Sequence, residues 1–258
     1  MDPSKIRALL AAPERFNFVF AKSLGSTNDR ARELAENGAP AWTVVCADEQ
    51  TAGRGRLGRH WQSLTGYGLW MSVVLRPEAD RFRPGLLVLS LALAVARAIE
   101  TLGGENLPVR LKWPNDVWVG SRKLAGILME SQFSGSRPVF LIVGIGVNML
   151  HLPADFPDEL HYPATSLKML MREVPSRETL LAGICEHLYR ELSRDSDPRL
   201  IRKLYLEKAL FLGEEIELRT DREVLRGRFA GLSTDGFLQL ESAHGIVEIT
   251  SGDVFGHF

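Results

Sequence analysis

The segment AGRGRLGR, positions 52–59, sets three arginines, Arg54, Arg56 and Arg59, among three glycines, Gly53, Gly55 and Gly58. Glycines let a backbone approach a ligand closely, and guanidinium groups grip phosphate or carboxylate through paired hydrogen bonds. The glycines alone spell G-x-G-x-x-G, the dinucleotide-binding fingerprint. That fingerprint works between a strand and a helix, whose N-terminus holds the pyrophosphate. Here a strand precedes the loop, but the following residues run through Gly66 and Gly68 into another strand. The nicotinamide reading fails on context. A cationic loop for a different anion remains, against the plainer alternative of a solvated basic turn. No G-x-x-x-x-G-K-[ST] loop occurs in the chain, and GIGVNM, 144–149, lacks the third glycine.

Three later segments carry further chemistry. KWPND, 112–116, joins a lysine, an aromatic ring, a rigid turn residue, an amide and a carboxylate at a strand end. Lys112 suits a phosphate, and Asn115 and Asp116 suit Mg²⁺ and its waters; a surface turn is the alternative. In RKLAGILME, 122–130, Lys123 precedes an apolar strand and can point back toward the arginine loop. GIGVN, 144–148, ends a buried strand at Asn148, a common place for a ligand contact in an α/β sheet.

These groups need a scaffold. Residues 16–24 read as a strand, and 25–38 as a helix with Ser26 at its start, Asp29 in the capping-box position and Gly38 as its stop. Residues 42–50 form a strand leading into the arginine loop, and 68–77 form the next. A buried helix covers 85–102 and ends at Gly103-Gly104. Residues 109–131 hold two β-rich segments joined through Gly120, and 138–148 form a buried strand. Helical patterns follow at 177–194 and 198–210. After Gly213, apolar and polar residues alternate between Asp-Gly and Gly turns, the pattern of a small antiparallel barrel of about five strands. A domain boundary is expected near 212.

Composition narrows the partners. The net charge is −1, from 31 basic and 32 acidic residues, whereas a general nucleic-acid binder has a basic excess, so phosphate chemistry should be local. The longest apolar run, 85–96, is too short to span a bilayer, and the N-terminal residues lack the apolar run of a signal peptide. No membrane association is expected. Cys46 and Cys185 show no disulfide or zinc spacing, and the six histidines form no ligand-spaced pair, which points to a reducing cytoplasm.

Together, STN (26–28), EQTAGRGRLGRHW (49–61), KWPND, RKLAGIL and GIGVN resemble, in order and spacing, the biotin–protein ligases, which attach biotin to a lysine of carboxyl-carrier proteins. The resemblance covers nearly the whole chain. It implies an α+β fold: a catalytic domain, 1–212, with a mixed sheet packed against helices, and an SH3-like barrel, 213–258. It also implies a two-step reaction, in which biotin and MgATP give biotinyl-5′-AMP and pyrophosphate, and the acceptor lysine then displaces AMP. The biotin carboxylate and the α-phosphate repel one another unless cations lie between them, a task that suits Lys123 and Arg56. A loop that orders over the intermediate would exclude water from a hydrolysable mixed anhydride.

Carried over position by position, the resemblance lines the biotin pocket with Ser26, Thr27, Asn28, Gln50, Gly53, Arg54, Gly55, Arg56, Lys123 and Gly126. The ureido ring offers two N–H donors and a carbonyl acceptor, which short hydroxyl and amide groups can satisfy. The nucleotide falls to Arg54, Arg56, Arg59, Trp61 over the adenine, Lys112, Asn115, Lys123 and Asn148. Asn115 and Asp116 would hold Mg²⁺, with Asp116 serving either the metal or the incoming lysine. Lys123, Arg56 and Asp116 would be catalytic. The partner is a biotin carboxyl carrier protein, and a homodimer stays open. Some members carry an N-terminal winged helix that makes them repressors; about 16 residues precede the first strand here, so no DNA binding is expected. The rival readings are a lipoate–protein ligase and a non-catalytic biotin-responsive regulator.

Overall fold

The computed structural model describes residues 1–79, 82–104, 107–160, 162–193, 197–243 and 245–256. Its centre is a seven-stranded mixed sheet built from β1 (Asn17–Leu24), β2 (Thr43–Gln50), β3 (Gly68–Leu75), β4 (Val109–Lys112), β5 (Asp116–Val119), β6 (Arg122–Ser134) and β7 (Arg137–Asn148). The strand order is β1-β2-β3-β7-β6-β5-β4. β1 and β2 run parallel, and every other neighbouring pair is antiparallel.

Alternation along the strands decides what each face meets. Leu69, Met71 and Val73 of β3 and Val143, Ile145 and Val147 of β7 join the main core with α3 (Pro84–Gly103) and α5 (Arg177–Ser193). The intervening Val74, Phe140 and Ile142 pack instead with Ala31 and Ala35 of α2 (Thr27–Glu36). Both halves of the period are apolar, so the sheet is covered on two sides. Among the described residues, α3 is the one helix long and apolar enough to cross a membrane. It covers the expected 85–102, and Leu89, Leu91 and Leu93 lie fully buried beneath the sheet.

Three local features depart from the sequence reading. A short helix, α1 (Pro3–Leu9), is capped by Asp2 and buries Ile6 against the core; at seven residues it is too brief for periodicity to reveal. Residues 109–131 make three strands, because KWPND folds back so that Lys112 sits opposite Asp116, with a cis bond between Trp113 and Pro114. Ser26 caps α2 by accepting the Asn28 N–H at 3.2 Å, but Asp29 does not close a capping box. Its carboxylate takes the Arg54 guanidinium at 2.7 Å, a charge-assisted bond stronger than one to a neutral amide. Gly38, at φ 86°, ends α2 as expected.

The chain continues through α4 (Leu167–Leu170), α5 and α6 (Pro198–Lys208). The expected end of α5 at Arg194 lies outside the described residues. A second sheet follows, built from β8 (Glu215–Arg219), β9 (Val224–Leu232), β10 (Leu238–Ser242), β11 (Gly245–Ile249) and β12 (Asp253–Phe255) in the order β11-β10-β9-β8-β12, all antiparallel. Five strands are present as expected. Among the described residues β11 and β12 do not pair, so the barrel is open along that seam. Trp113 Nε1 donates to Gly236 O at 3.4 Å, and Phe229 and Leu238 belong to the main core, which fastens this sheet against the first.

Candidate active site

The face of the sheet that carries α2 has a hollow, and the strand register explains it. Gly126 on β6 lies opposite Gly146 on β7, which lies opposite Trp70 on β3; one step on, Leu128, Gly144 and Ser72 are aligned. Glycines at facing positions leave the sheet bare over two strands. The result is a cavity of about 490 Å³, walled by the start of α2, the arginine loop, the KWPND turn, residues from 151–160 and 162–164, and Asp253. The Trp61 ring lies in the bare strip. A Cβ on Gly146 would stand 2.7 Å from Trp61 Nε1, and one on Gly126 would stand 3.0 Å from a ring carbon, so a larger residue at Gly146 would displace the ring and one at Gly126 would need it to give way.

One end of the cavity is uncharged and continuously hydrogen-bonded. Gln50 Oε1 accepts from the Thr27 backbone N–H at 2.8 Å and lies 3.0 Å from Thr27 Oγ1. Gln50 Nε2 donates to Ser63 Oγ at 2.9 Å, and Ser63 donates to the Trp61 carbonyl at 3.2 Å, tying the pocket floor to the arginine loop. Behind Thr27, Ser72 Oγ lies 2.7 Å from Thr27 Oγ1 and 2.6 Å from Asn28 Oδ1. Asn28 Nδ2 donates to Glu130 at 2.7 Å. Both ends of the Asn28 amide are thus held by the protein. Ser26 Oγ accepts from the Asn28 N–H, which leaves its hydroxyl proton to donate.

The other end is cationic. Each loop arginine reaches a different element: Arg54 to Asp29 on α2, Arg59 to Asp253 on β12, and Arg56 to Asn115 Oδ1 at 3.1 Å and Ser251 Oγ at 3.0 Å. Burial lowers the Arg56 pKa, with Asp253 and Asp116 opposing that shift. Burial raises the Asp253 carboxyl, but the bond to Arg59 together with the charges of Arg59, Lys112 and Arg56 outweighs that and leaves it below its ordinary value. Lys123 Nζ pairs with Asp116 Oδ1 at 2.8 Å and lies 5.2 Å from the centre of the Trp61 ring. Leu57, at the loop tip, adopts φ 56° and is 63% exposed, so the loop arginines are tied to the fold while the tip stands in solvent.

The sequence-nominated residues divide by position. Ser26, Thr27, Asn28, Gln50, Arg54, Gly55, Arg56, Arg59, Trp61, Asn115, Asp116, Lys123, Gly126 and Asn148 all border the one cavity. Gly53 stands behind it, where a Cβ would meet Ser63 Oγ at 2.9 Å. Lys112 is the clear departure. It is 2% exposed and is not part of the wall; its ammonium sits 3.9 Å from the Tyr162 ring centre, with the Trp118 and Phe255 rings near 6 Å. Burial pushes it down to about 8, with Asp116 opposing. A direct phosphate contact is therefore not available to Lys112 in this arrangement. Asn115 also departs from the metal expectation: its oxygen faces the Arg56 cation and its Nδ2 donates to Ile127 O at 2.5 Å. Among the described residues, no three His, Cys, Asp or Glu side chains converge as a metal cage.

Several wall residues carried no sequence signal. His151, one of the six histidines set aside, is 1% exposed, stacks on Phe156 at 5.0 Å and has its Nδ1 unpartnered. Trp61 Nε1 and Gln62 Oε1 are likewise buried without a partner. Buried polar atoms without a partner are few in a folded protein, and these three belong to residues that line the cavity. Tyr162 and Asp253 lie in ordinary-looking segments, and only the fold brings them to the cavity, with Ser72 and Glu130 bonded to Thr27 and Asn28 behind its wall.

Residues 20–148 match the biotin/lipoate A/B protein ligase family, and residues 211–255 match the biotin protein ligase C terminal domain. The chain is 38% identical over 246 residues to the bifunctional ligase/repressor BirA of Bacillus subtilis, covering 92% of this chain and 73% of that protein. It is 34% identical over 234 residues to the biotin--[acetyl-CoA-carboxylase] ligase of Paracoccus denitrificans, covering 89% and 96%. Among solved structures, the biotin protein ligase from Aquifex aeolicus in complex with biotin and ATP superimposes with a TM-score of 0.79 at 33% identity, covering 93% of this chain and 97% of that one.

Proposed function

This chain belongs to the biotin/lipoate A/B protein ligase family, and from that premise we propose how its cavity performs the family's chemistry. The protein is an ATP-dependent biotin–protein ligase, forming biotinyl-5′-AMP from biotin and ATP and then transferring biotin to a protein lysine. The observation that carries the assignment of residues is the opposed character of the two cavity ends. The Thr27–Gln50 end offers oxygen acceptors with Ser26 as a donor, which suits a ureido ring; the Lys123–Arg56 end is cationic, which suits a carboxylate beside a phosphate.

In the first step the biotin carboxylate oxygen attacks the α-phosphorus and pyrophosphate leaves with its electron pair. Lys123 and Arg56 lower the repulsion between the approaching anions. Arg54 and Arg59, anchored on Asp29 and Asp253, hold the loop across the product. In the second step the neutral acceptor amine attacks the carbonyl carbon, AMP leaves, and the amine proton is lost. Asp116 is placed to orient the incoming amine once Lys123 turns to the anions. Mg²⁺ fits only through Asp116 and the substrate's own phosphates, the usual way this ion is held. Asn115 serves as a bracket for Arg56, and Trp61, His151 and Asn148 border the nucleotide. A catalytic unit, 1–212, and a C-terminal unit, 213–258, share the work, since Asp253 and Ser251 hold loop arginines. The acceptor is a carrier domain of a biotin-dependent carboxylase, met in the cytoplasm.

The lipoate reading is disfavoured because a dithiolane ring has no N–H to offer Thr27 and Gln50. Incubation with MgATP and biotin, followed by mass spectrometry, should find biotinyl-adenylate bound to the chain. Folded protein that returns only unchanged ATP and biotin, or that prefers lipoate in competition, would sink this reading.

A further inference from the structure

Four oxygens stand in a row behind the uncharged end of the cavity: Asn28 Oδ1, Ser72 Oγ, Thr27 Oγ1 and Gln50 Oε1. Successive separations are 2.6, 2.7 and 3.0 Å, each a hydrogen-bond distance that needs a proton between the pair. Only the hydroxyls of Ser72 and Thr27 carry one. Turning an amide would supply a third proton, but both amides are held. Asn28 Nδ2 donates to the Glu130 carboxylate at 2.7 Å, and reversing Asn28 would set its oxygen against an acceptor-only group. Gln50 Oε1 takes the Thr27 backbone N–H at 2.8 Å while Nε2 donates to Ser63, so reversing Gln50 would orphan a buried backbone donor. The row has three contacts and two protons.

We propose that Glu130 and Ser72 are specificity-determining positioning residues, which keep the Thr27–Gln50 wall one proton short and thereby select a ligand that presents N–H donors there. The inference rests on the ureido ring lying at this end of the cavity. A ligand N–H directed between Thr27 Oγ1 and Gln50 Oε1, and shared by both oxygens, supplies the missing proton, and the Thr27 hydroxyl then turns to Ser72 with every oxygen pair bridged. A ligand ring oxygen at the same place adds another unbridged pair. Neither Glu130 nor Ser72 has to touch the ligand. Glu130 acts by fixing Asn28, with Arg32 at 3.3 Å as its own ion-pair partner, and Ser72 carries the constraint from Asn28 to Thr27.

Two substitutions remove the shortage by different routes. In Glu130→Gln the amide can donate to Asn28, which then reverses and donates to Ser72, so that three protons serve three contacts. In Ser72→Ala two of the contacts vanish. The test is calorimetric titration of the full chain, without ATP, with biotin and with its two cyclic carbamate analogues, each having one ring N–H replaced by oxygen. The wild type should prefer biotin over the weaker-binding carbamate by roughly 10⁴-fold, as sites built around a substrate N–H do. That ratio should fall by about tenfold in each variant, the factor for one ordinary hydrogen bond. A residue with a merely structural role would weaken both ligands in parallel, and an unchanged ratio in either folded variant overturns the inference. Wild-type protein that binds no biotin would overturn the reading of the site itself.

Discussion

Replacing Lys123 by alanine separates the two half-reactions. Its ammonium stands 2.8 Å from Asp116 and shares the cationic end with Arg56, so it is needed most when two anions are brought together. Loss of one preorganised charge-stabilising donor costs roughly 10²–10³ in rate, and adenylate formation should fall by that factor. Transfer from supplied biotinyl-adenylate should fall much less, since the encounter of carboxylate and phosphate has already happened. Asp116 is left without its nearest cation, but Arg56 and Lys112 remain within electrostatic reach. The stability loss should therefore be about 1–2 kcal/mol, below that of a buried pair left with no compensation. Adding Asp116→Asn should recover that stability without recovering adenylation. Rapid-quench adenylation, single-turnover transfer to a carrier domain and urea denaturation measure the three quantities. Equal losses in both half-reactions would assign Lys123 to general positioning, and no loss in either would refute the reasoning.

Asp253→Asn should loosen the arginine loop by weakening its tie to Arg59, raising the dissociation rate of bound adenylate several-fold in a chase experiment while the fold is retained. Because the Asp253 carboxyl is held below its ordinary value in the folded chain, its stabilisation is present above the unfolded carboxylate range and lost as pH falls through the folded value; acid titration below about pH 4 should destabilise the wild type more than the variant. Lys112 is lowered to about 8 against an ordinary value of 10.5, so the unfolded chain binds more protons between these limits. The wild type should therefore gain stability relative to Lys112→Met as pH rises from 8 toward 10, and a flat difference across that window would show the lysine to be better solvated than its burial indicates. Gly146→Ala should force the Trp61 ring off the sheet, with a stability cost of about 1–3 kcal/mol and a shifted tryptophan emission; unchanged emission and stability would mean that the ring does not occupy the strip.

Much of the scaffold was legible because its signals are local. Ser26, Gly38 and the apolar run after Pro84 are each read from a few neighbours, and α2 and α3 lie where those signals put them. The arginine loop was separable from a dinucleotide turn for the same reason, since the absence of a following helix is visible in the next ten residues. The α1 helix was not visible, because one buried Ile6 in seven residues makes no periodic pattern. The third strand at KWPND was hidden because a four-residue strand and a tight turn look like one continuous β-rich run.

The sequence by itself determined which chemical groups are available and in what order along the chain: a flexible cationic loop, a lysine before Ala125-Gly126, and hydroxyl and amide groups at a helix start. Those are covalent facts, and it is their resemblance to the biotin–protein ligases, in order and spacing, that names the reaction. Only the tertiary structure decided which groups meet. Lys112 and Lys123 were both assigned to the nucleotide, but strand alternation and the KWPND turn bury the first among Tyr162, Trp118 and Phe255 and place the second beside the cavity. Ser72 and Glu130 stand 58 positions apart and acquire a joint role only because β3, β7 and β6 are neighbours in register, with Gly144 leaving room for Asn28 between them. Contact across a sheet depends on the folding of every intervening residue, and no spacing in the chain records it.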